Sequence, residues 1–199
     1  MTEGNPLLPT REEHDMLGER ELPAQAYYGI HTLRAVENFP ITETSISDYP
    51  ELIQSLACIK QAAALSNHEL GLLDKTRTEA IISACKTLRS GEHHDQFPVD
   101  VIQGGAGTST NMNANEVIAN LGLEVLGRVK GDYAWLHPNE HVNLSQSTND
   151  VYPTALKLSA CLGIMGLLEA MGTLQRTFQS KAIEFQDILK MGRTQLQDA

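Results

Sequence analysis

A segment rich in glycine and asparagine near the middle of the chain carries the residues best suited to chemistry. Residues 104–116 read GGAGTSTNMNANE, so small residues precede the hydroxyl pair Thr108 and Ser109, and asparagines follow at spacing two. Glycine lets the backbone come close to a ligand, and Thr, Ser and Asn side chains are short neutral hydrogen-bond donors. An apolar pattern at helical spacing begins directly behind them. The donors therefore lie where a loop becomes a helix, and a helix N-terminus favours an anion.

The absence of a Gly-Lys-Ser/Thr sequence from this segment argues against a phosphate loop and favours a smaller anion such as a carboxylate. A second cluster of hydroxyl and amide side chains, SQSTND, occupies residues 145–150. Each cluster by itself has a simpler interpretation. The first can be a plain glycine-rich turn, and the second can be a helix cap, because Ser, Thr, Asn and Asp are the preferred capping residues.

Two histidines at spacing four, His137 and His141, could form a metal pair on a helix. Pro138 and Asn139 predict a loop instead, and no cysteine or third histidine is near. The pattern therefore favours a solvated loop or a second anion-binding patch, and we predict neither a metal ion nor a cofactor. Arg34 could bind a substrate carboxylate through two hydrogen bonds, but a structural ion pair is the favoured interpretation.

Composition excludes several classes of function. The chain has 199 residues, with 15 basic against 25 acidic side chains and a formal charge of −10, which argues against nucleic acid or an anionic membrane as a partner. Hydrophobic residues make up 41% and aromatic residues 5%, and Leu, Ile, Ala and Met dominate the apolar set, which favours packed helices over sheets. Three cysteines lie in apolar contexts without metal spacing, so we predict reduced, buried thiols in a cytoplasmic protein.

The chain is predicted to be all-α, with at most a short hairpin near residues 15–30. Asp48 is interpreted as a helix N-cap because Pro50 follows it, and Asp74 as the N-cap of the next helix. A helix is predicted over 111–129.

A loop is predicted over 131–149, followed by a long helix that starts near Asn149–Tyr152 and continues past residue 180. This last helix is apolar on nearly all sides in its first half, which predicts burial against other helices. Its uncharged stretch, 158–168, is too short for a bilayer.

Four motifs taken together are far more specific than any one of them. They occur in order at 104–116, 137–143 (HPNEHVN), 145–150 and 192–199 (GRTQLQDA). This arrangement resembles the aspartase/fumarase superfamily. Residues 26–39, AYYGIHTLRAVENF, and the GGAGTS form of the first motif are more similar to its aspartate ammonia-lyase branch than to its fumarase branch.

The resemblance implies a three-domain, mostly helical subunit that forms homotetramers, with each active site built from three subunits. This chain would supply an N-terminal domain, residues 1–142, and the start of the central helical bundle, residues 143–199. It would then be an N-terminal fragment, because the family's catalytic serine stands on a Gly-Ser-Ser loop that has no counterpart here and would lie beyond Ala199. We therefore expect the chain alone to be inactive.

The positions that match the family's substrate-binding motifs are Thr108, Ser147, Thr148, Asn149, Thr194 and Gln195. The resemblance implies that the first three hold the substrate's β-carboxylate, the fourth contacts its amino group, and Thr194 binds its α-carboxylate. Gln195 stands where fumarases and some aspartases carry histidine, so assistance by histidine is not expected there.

The activity implied is the conversion of L-aspartate, a small dicarboxylate, to fumarate and ammonia by anti elimination through an aci-carboxylate. The residue types suit this chemistry, because preorganised neutral donors stabilise the charge that develops on the carboxylate. Two alternatives stay open. One is a fumarase-type hydro-lyase that interconverts malate and fumarate, and the other is a non-catalytic protein for carboxylate binding or assembly.

Overall fold

The structure is a computed structural model that describes residues 9–197. The chain divides into two units, Met1–Ala160 and Cys161–Ala199. Helices dominate, which confirms the predicted all-α class. In chain order the elements are β1 (Thr10–Asp15), β2 (Gly18–Pro23), α1 (Ile30–Asn38), a 3-10 turn (Ile46–Asp48), α2 (Pro50–Glu69), α3 (Lys75–Arg89), a second 3-10 turn (His94–Gln96), α4 (Thr108–Val125), a π-helical turn (Pro138–Val142) and α5 (Thr148–Glu184).

The hairpin lies nearer the N-terminus than the sequence predicts. Strands β1 and β2 pair antiparallel, with Thr10 opposite Pro23. The residue that β1 buries is Glu13, whose carboxylate accepts hydrogen bonds from Ile30 N at 2.9 Å and Tyr133 Oη at 3.0 Å. Because a charged side chain faces inward, the strand lacks the apolar alternation by which a half-buried strand is normally identified.

The N-terminus of α1 is closed by a carboxylate that is distant in sequence. Glu116, on α4, accepts hydrogen bonds from Gly29 N (2.8 Å), His31 N (2.9 Å), Thr32 N (3.1 Å) and Thr32 Oγ1 (2.6 Å). Burial raises the pKa of this carboxyl, while the bond from Thr32 opposes that shift. Glu116 thereby satisfies the N–H groups of Gly29, His31 and Thr32, where α1 has no local cap, while Glu13 accepts from Ile30 N. Helix α1 is thereby fixed to α4.

The prediction for the start of α2 was wrong. The helix begins at Pro50 with Tyr49 as its N-cap, and Asp48 ends the preceding 3-10 turn instead. The Asp48 carboxylate accepts a hydrogen bond from Ser45 N at 3.2 Å within that turn, and so it does not cap α2. The prediction for α3 is confirmed, because Asp74 Oδ1 accepts from Arg77 N at 3.0 Å.

Helix α4 is the central element of the first unit. It contacts α1, α2, α3 and the π-helical turn, and 13 of its 18 residues are buried. It begins at Thr108, three residues before the predicted start at 111, so the motif's asparagines lie inside the helix. Asn113 Nδ2 donates to Gln96 O at 2.9 Å, and Asn120 Nδ2 donates to Tyr27 O at 2.8 Å. These amides satisfy backbone carbonyls of the surrounding loops.

The predicted loop over 131–149 contains a π-helical turn, Pro138–Val142. His137 caps it, because its Nδ1 accepts from Asn139 N at 3.0 Å and Glu140 N at 3.2 Å. His141 Nδ1 accepts from His137 N at 2.8 Å. The two histidines spaced by four therefore form hydrogen bonds within this helical turn. Pro138 is the first residue of the turn, where proline costs no hydrogen bond.

Helix α5 starts and ends as predicted, over Thr148–Glu184, but only Val151 and Ala155 are buried within it. By length and composition alone it could cross a membrane, with a mean hydropathy of 1.5 over 18 residues, although core helices of soluble proteins pass the same test. The prediction of three buried cysteines was partly wrong. Cys85 is buried and Cys58 half-buried, but Cys161, on α5, is exposed.

Candidate functional site

The N-termini of α4 and α5 meet, and we call this contact the α4–α5 junction, formed by residues 107–111 and 147–152. Asn111 Nδ2 donates to Thr148 Oγ1 at 2.9 Å. Gly107 precedes α4 with φ +81°, and a Cβ there would lie 2.2 Å from the Tyr152 ring. Glycine is therefore required for both the backbone conformation and the close approach. The two donor clusters of the sequence come together here.

The first turn of α4 leaves backbone donors free at the junction. Its N-cap, Gly107, provides no side-chain cap. Thr110 N donates to Gln103 Oε1 at 2.9 Å, whereas the N–H groups of Thr108 and Ser109 have no hydrogen-bond partner within residues 9–197. Two aligned N–H groups at a helix N-terminus are suited to an anion.

The first turn of α5 is capped by Ser147. Its Oγ accepts from Asn149 N at 3.2 Å, and its carbonyl oxygen accepts from Val151 N at 3.0 Å. The helix-cap interpretation therefore applies to Ser147. The hydroxyl proton is not used by this cap, because the oxygen acts as acceptor. Ser147 can cap the helix and still donate to a ligand.

The substrate-binding positions predicted from the sequence lie in both units. In the first, Thr108, Ser147 and Asn149 are exposed and Thr148 is half-buried. In the second, Thr194 Oγ1 donates to Gln197 O at 2.6 Å, and the neighbouring Gln195 is exposed. The last two residues of the fourth motif, 198–199, lie outside the described residues.

Arg34 is absent from the junction. Its guanidinium forms two hydrogen bonds with Asp15, at 2.7 and 2.8 Å. This contact lowers the pKa of the Asp15 carboxyl. The structural ion pair favoured from the sequence is therefore what the structure contains, and it connects α1 to the hairpin.

A buried polar network behind the junction was missed by the sequence reasoning. Lys60, on α2, is fully buried, and its Nζ donates to Asn143 Oδ1 at 2.7 Å. The same oxygen accepts from Asn111 Nδ2 at 3.1 Å. The available signal was the position of Lys60 on the apolar stripe of α2, seven residues after Ile53 and four after Leu56. A lysine on a buried stripe requires a polar partner.

Several cavities lie in the first unit, and two of them border residues singled out from the sequence. One of about 370 Å³ borders Gly105, Gly107 and Tyr152 at the junction. Another of about 560 Å³ is lined in part by Arg77 and His141, away from the predicted site residues. Burial beside the Arg77 guanidinium lowers the pKa of His141. The second anion-binding patch suggested for this histidine segment stays a prediction.

Comparison with known proteins identifies the family. Residues 18–199 match the model of a family described as lyase. The chain belongs to this lyase family. It is 56% identical over 190 residues to the aspartate ammonia-lyase of Escherichia coli strain K12, and 58% identical over 189 residues to that of Pseudomonas fluorescens. Each alignment covers 95% of the chain and 40% of the relative.

Solved structures of lyases share the fold. A fumarate lyase:delta crystallin from Brucella melitensis superposes with a TM-score of 0.94 at 52% identity, over 96% of the chain and 44% of that protein. A class II fumarase from Schistosoma mansoni superposes with a TM-score of 0.88 at 36% identity, over 96% of the chain and 40% of the fumarase. The chain spans about two-fifths of the length of these relatives.

Proposed function

We propose that the complete protein containing this chain is an aspartate ammonia-lyase, which converts L-aspartate to fumarate and ammonia. The observation that carries the proposal is the α4–α5 junction, where two clusters of neutral donors meet at two helix N-termini. The hydrogen bond of 2.9 Å between Asn111 and Thr148 ties these clusters together. The identity of 56% to an aspartate ammonia-lyase over 95% of the chain supports the same conclusion.

The substrate's β-carboxylate binds at the junction in this proposal. Thr108, Ser147 and Thr148 donate to it, and the free N–H groups of the first turn of α4 add the field of the helix dipole. Asn149 contacts the amino group. In the assembled protein, Thr194 binds the α-carboxylate of a substrate in a different subunit's site, and Gln195 offers that substrate a hydrogen bond in place of histidine.

The proposed reaction places additional negative charge on the carboxylate to which these donors bind. A base removes a proton from Cβ, and the electron pair moves into the adjacent carboxylate to form a dianionic aci-carboxylate. The pair then returns to form the Cα–Cβ double bond while the C–N bond breaks and ammonia leaves with the C–N electrons. Donors fixed where charge develops stabilise the intermediate more than the substrate, and one such donor contributes about 2.7–4 kcal/mol.

The remaining parts of the proposed enzyme lie outside this chain. The base is a serine on a loop of the complete subunit, and the assembly is a cytoplasmic homotetramer. Residues 1–142 form the N-terminal domain, and residues 143–199 begin the central bundle. The exposed apolar side chains of α5, such as Leu167 (57% exposed) and Phe178 (67%), support this assembly, because large uncovered apolar surfaces are uncommon on soluble proteins.

The test is an assay of the complete protein with L-aspartate and, separately, with L-malate. Fumarate is followed by its ultraviolet absorbance and ammonia by a coupled assay. We expect both products in equal amounts from aspartate and no comparable turnover of malate. Fumarate from malate alone would indicate the fumarase-type hydro-lyase instead.

Binding measurements complete the test. If isothermal calorimetry detects binding of fumarate and neither substrate is turned over, the protein is the non-catalytic carboxylate-binding protein. Thr148→Val serves as the site variant, because it removes the hydroxyl and keeps the shape of the side chain. Under our proposal it loses turnover, while its melting temperature stays close to that of the unmodified protein.

A further inference from the structure

Lys60 anchors a chain of hydrogen bonds that ends at Thr148. The Lys60 amine donates to Asn143 Oδ1 at 2.7 Å, Asn111 Nδ2 donates to that same oxygen at 3.1 Å, and Asn111 Nδ2 also donates to Thr148 Oγ1 at 2.9 Å. An ammonium group has donors only, whereas an amide can present either its oxygen or its nitrogen. The donor-to-acceptor direction of each hydrogen bond in this series therefore depends on the group at its buried end, Lys60.

The orientation of Asn143 is fixed from both sides. Lys60 requires an acceptor, so Asn143 turns its oxygen toward the amine. The other end of the amide, Nδ2, donates to the backbone carbonyl of Gln146 at 3.1 Å, and a carbonyl can only accept. A flipped amide would place donor against donor at one end and acceptor against acceptor at the other.

The orientation of Asn111 follows from that of Asn143. Because Asn143 presents an oxygen, Asn111 must turn its NH₂ group toward it, and the second proton of this group reaches Thr148 Oγ1. The Oδ1 atom of Asn111 is buried without a hydrogen-bond partner within residues 9–197. An unsatisfied buried acceptor is costly, so this orientation of Asn111 is held by the two hydrogen bonds that its Nδ2 donates and not by Oδ1.

The hydroxyl of Thr148 is thereby left with a free proton. Its oxygen accepts from Asn111, and this is the only side-chain hydrogen bond of Thr148 within residues 9–197. The proton must find its acceptor elsewhere, and Thr148 lies half-exposed at the α4–α5 junction. A carboxylate at the junction is such an acceptor, because it has no protons to donate.

We propose that Asn111, held in one amide orientation by Asn143 and Lys60, is a positioning residue that makes the Thr148 hydroxyl donate to the substrate carboxylate. This inference rests on the proposed function. Lys60 reaches the site only through two amides, so it orients a donor without placing its own charge on the substrate. Burial lowers the pKa of Lys60 to about 7. The neutral amine also has an acceptor lone pair, but the Gln146 carbonyl can only accept from Asn143 Nδ2, so Asn143 presents its oxygen to Lys60 in both protonation states.

The test is a double-mutant cycle in the complete protein with L-aspartate as substrate. Asn111→Leu should lower kcat about tenfold, because Thr148 loses its fixed direction, and should change KM by about twofold or less. In a Thr148→Val background the same substitution should lower kcat about twofold or less, because the Thr148 hydroxyl through which Asn111 acts is absent. An Asn111→Leu loss that persists undiminished in that background would overturn the inference.

Asn113→Leu is the matched control. Asn113 is buried in the same helix, is replaced by the same residue, and also has an unpartnered Oδ1, but its Nδ2 donates to Gln96 O and not toward Thr148. Any change in kcat that it causes through general destabilisation should be equal in both backgrounds. A coupling to Thr148 as large as that of Asn111 would overturn the inference.

Lys60→Met covers the case in which Asn111→Leu does not fold, which far-ultraviolet circular dichroism would reveal. It removes the donor at the buried end and leaves Asn111 in place, so we expect a smaller loss of kcat that also disappears in the Thr148→Val background. Full activity of Thr148→Val would instead remove the proposed role of Thr148 itself. Full activity of Thr148→Val would count against the proposed function, whereas an additive double-mutant cycle would count against the role of Asn111, so the two failures can be told apart.

Discussion

Replacement of Gly107 by alanine should destabilise the α4–α5 junction for two separable reasons. Gly107 has φ +81°, and an L-residue in this left-handed region costs roughly 1–2 kcal/mol. The new Cβ would also lie 2.2 Å from Cγ and Cδ1 of Tyr152, and overpacking of this kind costs about 1–3 kcal/mol. The free energy of unfolding should therefore fall by roughly 2–5 kcal/mol.

Two variants separate these causes. Gly105 has φ +73°, and its nearest neighbour for a new Cβ is the Thr108 hydroxyl at 3.3 Å, a side-chain atom that needs to move only slightly, so Gly105→Ala should carry mainly the backbone cost of roughly 1–2 kcal/mol. Tyr152→Ala removes the ring that Gly107→Ala would meet. In that background the cost of Gly107→Ala should fall to about the value for Gly105→Ala.

Urea unfolding, followed by circular dichroism at one protein concentration, measures these free energies. Fumarate formation by the complete protein should fall along with stability, because a displaced α4 moves Thr108 relative to Thr148. The steric reasoning is refuted if Gly107→Ala costs no more than Gly105→Ala, or if its cost is the same with and without the Tyr152 ring.

Three further predictions concern catalysis, acid stability and assembly. Thr108→Ala and Thr148→Val should each lower kcat about 10²-fold, with a smaller change in KM, because these donors gain most in the transition state; a change in KM alone would indicate ground-state binding. Burial opposes ionisation of Asp100, but hydrogen bonds from Ile102 N and from Thr42 lower its pKa to about 2. The stability that this carboxylate provides is present above its unfolded pKa of about 3.9 and is lost as pH falls toward about 2. Acid titration by circular dichroism should therefore show a flatter profile for Asp100→Asn, and identical profiles would contradict this. The 199-residue chain alone should form no fumarate and should self-associate in sedimentation experiments; turnover like that of a complete lyase would place the base within it.

Local sequence rules were sufficient for elements whose ends are set by neighbouring residues. Asp74 caps α3 as expected, and α5 begins within one residue of the predicted Asn149. The rules failed where a partner lies far away in sequence. No residue adjacent to α1 caps its first turn, and the carboxylates that do so belong to Glu13, 17 residues before Ile30, and to Glu116, more than 80 residues later. A pattern read along one segment cannot reveal such a partner.

The motif's asparagines show a second limit of sequence reasoning. In the sequence analysis they were counted among the donors for an anion where the loop becomes a helix. In a helix, residues two apart are rotated by about 200°, so Asn111 and Asn113 point to nearly opposite sides. Asn111 faces Thr148, whereas Asn113 bonds to the carbonyl of Gln96. The start of α4 at Thr108, and not at 111, decides which amide reaches the junction.

No lysine or arginine within residues 9–197 forms a hydrogen bond with the residues of the α4–α5 junction, and this bears on the proposed reaction. A lysine or arginine on the β-carboxylate would attract substrate, intermediate and product alike, which lowers KM without raising kcat. Neutral donors such as Thr108 and Thr148, held at a fixed position, bind the carboxylate most strongly when its second negative charge develops. Lys60, with two amides between its amine and Thr148, can orient such a donor without binding the product fumarate itself. Under the proposed function, the buried network therefore favours turnover over tight binding.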